Sequence, residues 1–127
     1  MDYLLDTHAI IWAITDEKKL SSKSKALIEN KSNKCFVSIV SFWEIGIKCS
    51  LGRLELKTDL DDIFKIIEQA GFETLPVFHN HILESTKLPL HHNDPFDRLI
   101  IGQAMSEKMT LITKDKEFKR YECALVW

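Results

Sequence analysis

The sequence predicts an α/β fold: a three-layer α/β/α sandwich whose central, mostly parallel sheet is covered by helices on both faces. Two observations predict it. Short apolar segments of strand length alternate along the chain with longer segments that have helical spacing of apolar residues. Only four glycines and three prolines interrupt them, with no repeat or low-complexity tract. The 127 residues suffice for a sizeable core, and we expect one domain over residues 1–127.

The order of elements follows from apolar runs and from the residues that begin and end helices. The predicted strands cover residues 3–6, 35–38, 72–77, 110–113 and 124–127. The predicted helices cover residues 8–14, 22–30, 41–51, 59–70, 79–87 and 95–108, with a helical turn at 116–121. Ser21 or Ser22 is the expected cap of the second helix, and Gly52 ends the third. Thr58, with Asp61 three residues later, predicts a capping box on the fourth.

Composition excludes several function classes. The hydrophobic content of 45%, the charged content of 28% and the net charge of -2 are ordinary for a globular protein and do not fit a polybasic nucleic-acid coat. The three cysteines are odd in number and lack C-x-x-C spacing, which predicts unpaired thiols in a reducing compartment. The longest apolar run, residues 9–14, is too short to span a bilayer, and the start of the chain lacks the basic character of a secretion signal. We expect a cytoplasmic protein without membrane contact.

Four acidic residues lie where the chain passes between predicted elements: Asp6, Glu44, Asp97 and Asp115. Two follow strands, and two lie in the first turns of helices that should begin on the same side of the sheet, where ligands bind to parallel sheets. Three of them interrupt apolar segments, where a carboxylate is unfavourable unless it is paired or binds a cation. Converging carboxylates without matching arginines would repel one another, and Mg²⁺ or Mn²⁺ would relieve that repulsion.

Each acid also has a structural interpretation. Asp6 could cap the helix that follows it, although Thr7 could do the same, and Asp115 could cap the turn after it. Glu44 and Lys48 have the spacing of an ordinary surface ion pair.

Asp94 and Asp97 need to be distinguished. Asp94 directly precedes Pro95, which is the usual arrangement of an N-cap followed by proline in the first helical position. Asp97 could complete a capping box, but its helix is apolar on two adjacent faces, so the acid should face the protein or a cleft. We assign Asp94 mainly to capping and Asp97 mainly to chemistry.

The segments LLDTHAIIW, SFWEIGIK, DPFDRLIIGQA and LITKDKEF together resemble the PIN-domain family, specifically the VapC-type toxins of toxin–antitoxin pairs. Their order and spacing match over essentially the whole chain. The resemblance implies a PIN-like sandwich, a metal-dependent ribonuclease acting on RNA, neutralisation by a cognate antitoxin, and usually a homodimer. The family's acidic quartet is matched by Asp6, Glu44, Asp97 and Asp115. Thr7 and Thr113 match hydroxyl positions beside it, whereas Asp94, His91 and His92 are extra to the minimal pattern.

The implied chemistry is hydrolysis of phosphodiester bonds. Asp6 and Asp97, with help from Glu44 and Asp115, would hold Mg²⁺ or Mn²⁺, which lowers the pKa of a bound water. A carboxylate such as Glu44 could accept the proton of that water. Flanking phosphates could be held by Lys48, Arg98, Lys114 or Lys116. We expect four apolar side chains to pack in the core, in preference to forming a groove for a partner: Trp12, Phe42, Trp43 and Leu51.

Other function classes have less support. A nucleotide-binding domain needs a glycine-rich loop, which the four glycines do not form, and a phosphotransfer domain needs a second aspartate beside Asp6. His79 with His81, or His91 with His92, could bind a transition metal or act as acid and base, but no cysteine lies at zinc-ligand spacing from them. A non-catalytic PIN-fold module that binds RNA or protein is the alternative from a different class, and it would be expected to lose part of the quartet.

Overall fold

The computed structural model describes all residues from 1 to 127. Its single sheet has five strands in the order β3–β2–β1–β4–β5, and every neighbouring pair is parallel. The strands are β1 (Asp2–Leu5), β2 (Lys34–Ser38), β3 (Glu73–Leu75), β4 (Thr110–Ile112) and β5 (Leu125–Val126). The predicted α/β class with a parallel sheet is confirmed.

Six α-helices connect the strands. They are α1 (Thr7–Thr15), α2 (Ser22–Glu29), α3 (Ile39–Ser50), α4 (Leu60–Gln69), α5 (His79–Lys87) and α6 (Pro95–Glu107). Two short 3-10 helices cover Glu17–Lys19, which was not predicted, and Lys116–Arg120, which was. No helix combines the length and apolar character needed to cross a membrane. All three cysteines are unpaired, as predicted.

The two faces of the sheet carry separate cores because successive side chains of a strand point to opposite faces. On one face Leu5 belongs to a buried cluster with Ile10 of α1 and Ile63 of α4. On the other face Leu4 belongs to a second cluster that includes Ile100 of α6. Helices therefore cover both faces, which confirms the three-layer arrangement.

Two close contacts fix the position of α6, the helix that carries Asp97. A Cβ atom added at Gly102 would lie 2.9 Å from both the carbonyl oxygen of His81 and the amide nitrogen of Ser85, so α5 and α6 cross closely here. The side chain of Gln103 is fully buried, and its Oε1 accepts a hydrogen bond from the Ser38 hydroxyl at 2.5 Å. These contacts tie α6 to α5 and to the end of β2.

Three boundaries differ from prediction for local reasons. The Ser38 hydroxyl caps α3 by accepting from the amide of Val40, so the helix begins at Ile39 and Glu44 lies in its second turn rather than its first. Thr58 does not cap α4, because that helix begins one residue later than a Thr58 cap requires, with Asp59 at the N-cap. Strand β3 has three residues rather than six; Pro76 follows it directly and has no N–H to donate to the ladder.

Candidate active site

The carboxyl ends of β1 and β4 lie side by side where the strand order reverses. The chain runs outward from β1 to β2 and β3, then returns to β4 on the other side of β1. In open parallel sheets such a reversal point forms the ligand crevice. Asp6 directly follows β1, and its amide donates to the carbonyl oxygen of Ile112 in β4 at 3.1 Å. Thr113 and Asp115 follow β4, so the structure brings the two strand-end acids to this point.

Asp6 is buried and is held through both of its carboxylate oxygens. Oδ1 accepts from the amide of Ala9 at 2.8 Å, and Oδ2 accepts from the Thr113 hydroxyl at 2.5 Å. Burial raises the pKa of Asp6, and these hydrogen bonds oppose the rise. Asp6 therefore caps α1, as its structural interpretation proposed, and at the same time presents a buried carboxylate to the crevice. Thr7, the other candidate for this cap, donates its hydroxyl proton to Glu44 instead.

Glu44 is only 2% exposed, and both of its oxygens are occupied. Oε1 accepts from the Thr7 hydroxyl at 2.6 Å, and Oε2 accepts from Nζ of Lys48 at 2.5 Å. Because the one hydroxyl proton of Thr7 points to Glu44, the Ser41 hydroxyl 3.0 Å away donates to Thr7. The Glu44–Lys48 pair is thus present at the predicted spacing, but its acidic end is buried and not on the surface.

Asp94 has the capping role that was predicted for it, and Asp97 stands one turn further along the same helix. Oδ1 of Asp94 accepts from the amides of Phe96 and Asp97 at 2.9 and 3.2 Å, so Asp94 is the N-cap of α6. Asp97 lies in the first turn of α6 and is half-buried. Burial is the main cause that raises the pKa of Asp97 to about 8, and the further causes are the negative charges of Asp94, Glu44, Asp115 and Asp6. The five carboxylates therefore lie close enough together for their charges to interact.

Asp115 is exposed and caps the second 3-10 helix, since its Oδ1 accepts from the amide of Glu117 at 2.9 Å. Its own amide donates to the Thr113 hydroxyl at 3.0 Å, and that hydroxyl in turn donates to Asp6. Thr113 thus joins two members of the quartet through one oxygen atom. Both predicted hydroxyl residues, Thr7 and Thr113, contact an acid of the quartet.

The donor set fits Mg²⁺ or Mn²⁺ in its chemistry, because it consists of carboxylate oxygens whose repulsion a cation would offset. The positions of these side chains do not by themselves form a metal site, because no three His, Cys, Asp or Glu side chains are placed to hold one metal ion. Asp6 and Glu44 each have both carboxylate oxygens engaged in hydrogen bonds. Asp97 and Asp115 each have one oxygen without such a partner, so they are the acids best able to turn towards an ion.

His92 and Tyr121 also belong to the site, although the sequence did not assign them to it. Nε2 of His92 lies 3.4 Å from Oδ2 of Asp97, and Nδ1 lies 2.6 Å from the Tyr121 hydroxyl. His92 was visible as a candidate because it stands near Asp94 in the same loop. Tyr121 carried no signal, since its contact with His92 spans 29 positions.

Packing argues against two possibilities that the sequence left open: Arg98 as a phosphate contact, and a metal site made by histidines. Arg98 is not free to hold a phosphate, because its guanidinium donates to the carbonyl oxygens of Ser85, Leu88 and Pro89. Nor do the histidines form a metal cluster: His81 is fully buried, with its Nδ1 accepting from the amide of Phe78 and its Nε2 against Glu107.

The apolar residues expected in the core divide into two groups. Phe42 is buried as predicted, and Trp12 is half-buried. Trp43 and Leu51 are 62% and 59% exposed, so core packing was the wrong interpretation for them. The ring of Trp43 packs edge-on against Phe96 with centroids 5.3 Å apart.

The sequence model of the PIN domain matches residues 3–122. The chain belongs to the PIN domain family. No curated protein sequence matches this PIN domain.

Several solved structures share its fold. A chain of VapBC2 from Rickettsia felis, solved bound to a promoter DNA fragment, is 21% identical, with a TM-score of 0.74 over 100% of this chain and 99% of the other. A chain of VapBC-1 from nontypeable Haemophilus influenzae is 23% identical, with a TM-score of 0.66 over 94% and 92%. A chain of a toxin–antitoxin complex from Klebsiella pneumoniae is 16% identical, with a TM-score of 0.66 over 98% and 96%. At these identities the likeness establishes the fold.

Proposed function

We propose that this PIN domain is a metal-dependent endoribonuclease that hydrolyses RNA phosphodiester bonds and serves as the toxin of a toxin–antitoxin pair. The observation that carries the proposal is the meeting of Asp6 and Asp115, joined through Thr113, at the carboxyl ends of the neighbouring strands β1 and β4. Asp97 lies close enough to them that their charges, after burial and the charges of Asp94 and Glu44, help to raise its pKa to about 8. A strongly perturbed acid in a crevice of this kind is a marker of functional sites. Family membership adds support, because PIN domains are generally nucleases.

We assign the catalytic and metal-binding roles to Asp6, Glu44, Asp97 and Asp115, with Thr7, Thr113 and Asp94 as accessory residues. A bound Mg²⁺ or Mn²⁺ would supply a water of lowered pKa and would offset the charge that grows on the phosphoryl oxygens. The chain's own groups hold the acids in place: Thr113 and the Ala9 amide fix Asp6, and Asp94 fixes the first turn below Asp97.

Glu44 differs from the other three acids. It alone is paired with a lysine, Lys48, while its other oxygen accepts from Thr7, which favours a role in orienting these neighbours over a role as proton acceptor. Lys48 is then a fixed positive charge beside the crevice, where it can contact a phosphate of the substrate. Lys114 and Lys116 are exposed and remain candidates for the same task.

The proposed biology includes a cognate antitoxin and a homodimer. The VapBC structures from Rickettsia felis and Haemophilus influenzae support the antitoxin, since they share the fold along nearly the full length of this chain. We further propose a single domain over residues 1–127 and a cytoplasmic location; the unpaired state of all three cysteines agrees with a reducing compartment.

One observation favours the alternative, a non-catalytic PIN-fold module that binds RNA or protein. No three of the His, Cys, Asp and Glu side chains are placed to hold one metal ion, and a binding module would not need such an arrangement. The retention of all four acids of the quartet favours the enzyme, because a binding module has no need of them.

The deciding experiment is a cleavage assay of the purified protein on total RNA, with Mg²⁺ or Mn²⁺ and with EDTA. We expect cleavage with metal, none in EDTA, and none from Asp97→Asn. The matched control is Asp62→Asn, which changes an exposed acid of α4 and should cleave like the wild type. Full cleavage in EDTA would contradict metal dependence, and intact RNA in the presence of metal would favour the binding module.

A further inference from the structure

A cavity of about 700 Å³ adjoins the acidic cluster. Thr7 and Lys48 form part of its wall, and both side chains hold Glu44. Four cationic side chains and two acidic ones line it: Lys19, Lys48, Arg53, Lys57, Asp16 and Glu55. Lys48 is neutralised by Glu44, but the other three cations still outnumber the two acids, so the wall is net positive in a chain whose net charge is -2. This charge suits an anionic ligand and disfavours a basic peptide.

Trp12 forms part of the same wall and is braced by its neighbours. The edge of Trp127 packs against its ring with centroids 5.7 Å apart, and Nζ of Lys114 lies 5.9 Å from the ring centroid. Neither Trp127 nor Lys114 lines the cavity, so both support the indole of Trp12 without covering the part of it that faces the cavity. An aromatic ring held in one orientation is preorganised for stacking, because little conformational freedom is lost on binding.

The position of Trp12 relates it to the site of chemistry. Trp12 and His8 lie one turn apart on α1, with ring centroids 5.7 Å apart, and α1 begins directly after Asp6. Lys114 stands between Thr113 and Asp115 in the chain. An aromatic and basic group of side chains thus flanks the acids that follow β1 and β4.

We infer that this cavity binds a nucleotide of a single-stranded RNA beside the phosphate to be cut, with its base stacked on Trp12 and neighbouring phosphates held by cations of the wall such as Arg53 and Lys57. The inference rests on the proposed ribonuclease function and adds to it a subsite for a base. Unpaired bases are the part of an RNA that aromatic side chains can stack on, and stacking tolerates every base. The subsite therefore selects unpaired strands with little sequence preference.

Fluorescence anisotropy in EDTA tests this subsite without cleavage. The probes are a short, dye-labelled single-stranded RNA of mixed sequence and an abasic ribose-phosphate strand of equal length. We expect Trp12→Leu to bind the RNA about tenfold more weakly, as loss of one base–aromatic stack predicts, and Trp12→Phe to stay close to the wild type. Binding of the abasic strand should not change in either variant.

Two matched controls isolate the cavity. Phe78→Leu removes an exposed ring at the start of α5, which does not line the cavity, and it should not alter RNA binding. Lys57→Gln should reduce the slope of log affinity against log salt concentration by about 0.7, the value for one phosphate contact of a single strand. Lys87→Gln, an exposed lysine of α5, should leave the slope unchanged.

Each outcome decides the matter. Wild-type affinity in Trp12→Leu would overturn the subsite and leave the cavity to a protein partner, and equal weakening for RNA and abasic strand would reduce Trp12 to a structural residue. If Trp12→Leu does not fold, the test is photocrosslinking of RNA that contains 5-iodouridine to the wild type. We expect crosslinks to Trp12 or His8, and crosslinks confined to other regions would contradict the subsite. A wild type that binds RNA through Trp12 but does not cut it would overturn only the nuclease proposal; one that does not bind RNA would overturn the subsite.

Discussion

Nε2 of His92 lies 3.4 Å from Oδ2 of Asp97, and the hydrogen bonds around Tyr121 assign a proton to that nitrogen. The assignment follows from Tyr121, whose hydroxyl accepts from the His92 amide and from Arg98, both at 3.3 Å, and so directs its own proton to Nδ1, 2.6 Å away. Arg98 is in turn fixed by backbone carbonyl groups. The loop before α6 thus supplies a hydrogen-bond donor of fixed orientation to Asp97, the acid with the raised pKa.

This arrangement predicts that His92 orients Asp97. We expect His92→Ala to slow RNA cleavage about 10- to 100-fold, the usual loss when a residue that orients a metal-binding side chain is removed. Tyr121→Phe should have a smaller effect in the same direction, because the ring of His92 remains. Single-turnover cleavage at saturating Mn²⁺ measures both, with His91→Ala as the control. A wild-type rate in His92→Ala would show that Asp97 needs no such support.

A second prediction concerns the stability of the metal-free protein. The pKa of Asp97 is about 8 in the folded chain against an ordinary value of 3.8, so between these pH values the folded protein holds a proton that the unfolded chain has lost. Raising the pH through this window therefore favours unfolding. Asp97→Asn removes the effect: we expect its Tm in EDTA to match the wild type near pH 4 and to exceed it increasingly up to about pH 8.

The control for this measurement is Asp62→Asn, which should follow the wild type at every pH. Added Mn²⁺ should stabilise the wild type and not Asp97→Asn, because ligand bound to the folded state alone raises its stability. A difference in Tm between Asp97→Asn and the wild type that does not depend on pH would show that Asp97 ionises normally.

Local chemistry was the part of the structure that the sequence could predict. The N-cap Asp94 and the bounds of α5 follow from residues within one turn of each boundary, and the structure has them as predicted. Of the two predicted caps of α2, Ser21 and Ser22, the structure has Ser21. The start of α3 was wrong because Ser38, inside a predicted strand, also serves as a cap.

Contacts across the fold could not be read from spacing alone. The hydrogen bond from Thr113 to Asp6 joins residues 107 positions apart, and it depends on β1 and β4 being neighbours in the sheet. The acids were predicted to converge because parallel strands end at the same edge, which is a property of the fold class. The details at each acid, such as the hydrogen bond from Thr7 to Glu44 across 37 positions, depend on packing that no local pattern encodes.

A third prediction tests the capping role of Asp94. Asp94→Ala removes the acceptor for the amides of Phe96 and Asp97, and it should lower the free energy of unfolding by about 1 kcal/mol, the usual cost of a lost N-cap. Cleavage should fall less than in Asp97→Asn. Urea denaturation measures the loss. The matched control is Asp59→Ala, because Asp59 occupies the N-cap of α4 without a side-chain hydrogen bond and its loss should have a smaller effect.

The toxin proposal predicts an effect on growth. Expressed without an antitoxin, the wild type should arrest bacterial growth, whereas Asp6→Asn and Asp97→Asn should not, because each removes a carboxylate of the proposed site. Asp62→Asn should arrest growth like the wild type, and soluble protein levels must be equal in all strains. Harmless expression of a soluble wild type that cleaves RNA in vitro would indicate a nuclease with another cellular role.

The ends of the cut RNA distinguish acid-site chemistry from histidine chemistry. If the acids act through a metal-activated water, the attacking oxygen comes from solvent and no cyclic phosphate forms. The resemblance to VapC-type PIN domains implies that the 3′-oxygen leaves, so we expect fragments with a 5′-phosphate and a 3′-hydroxyl. If His91 or His92 instead removes the proton of the ribose 2′-hydroxyl, that oxygen attacks the phosphate and the bond from phosphorus to the 5′-oxygen breaks. This leaves a 2′,3′-cyclic phosphate and a 5′-hydroxyl, and no metal is needed. A single 2′-deoxy substitution at the cut site should therefore slow cleavage at most modestly by the first route and abolish it by the second. Mass spectrometry of the fragments reads the ends directly. Cyclic phosphate ends, with an active Asp97→Asn and an inactive His92→Ala, would transfer the chemistry from the acidic quartet to the histidines.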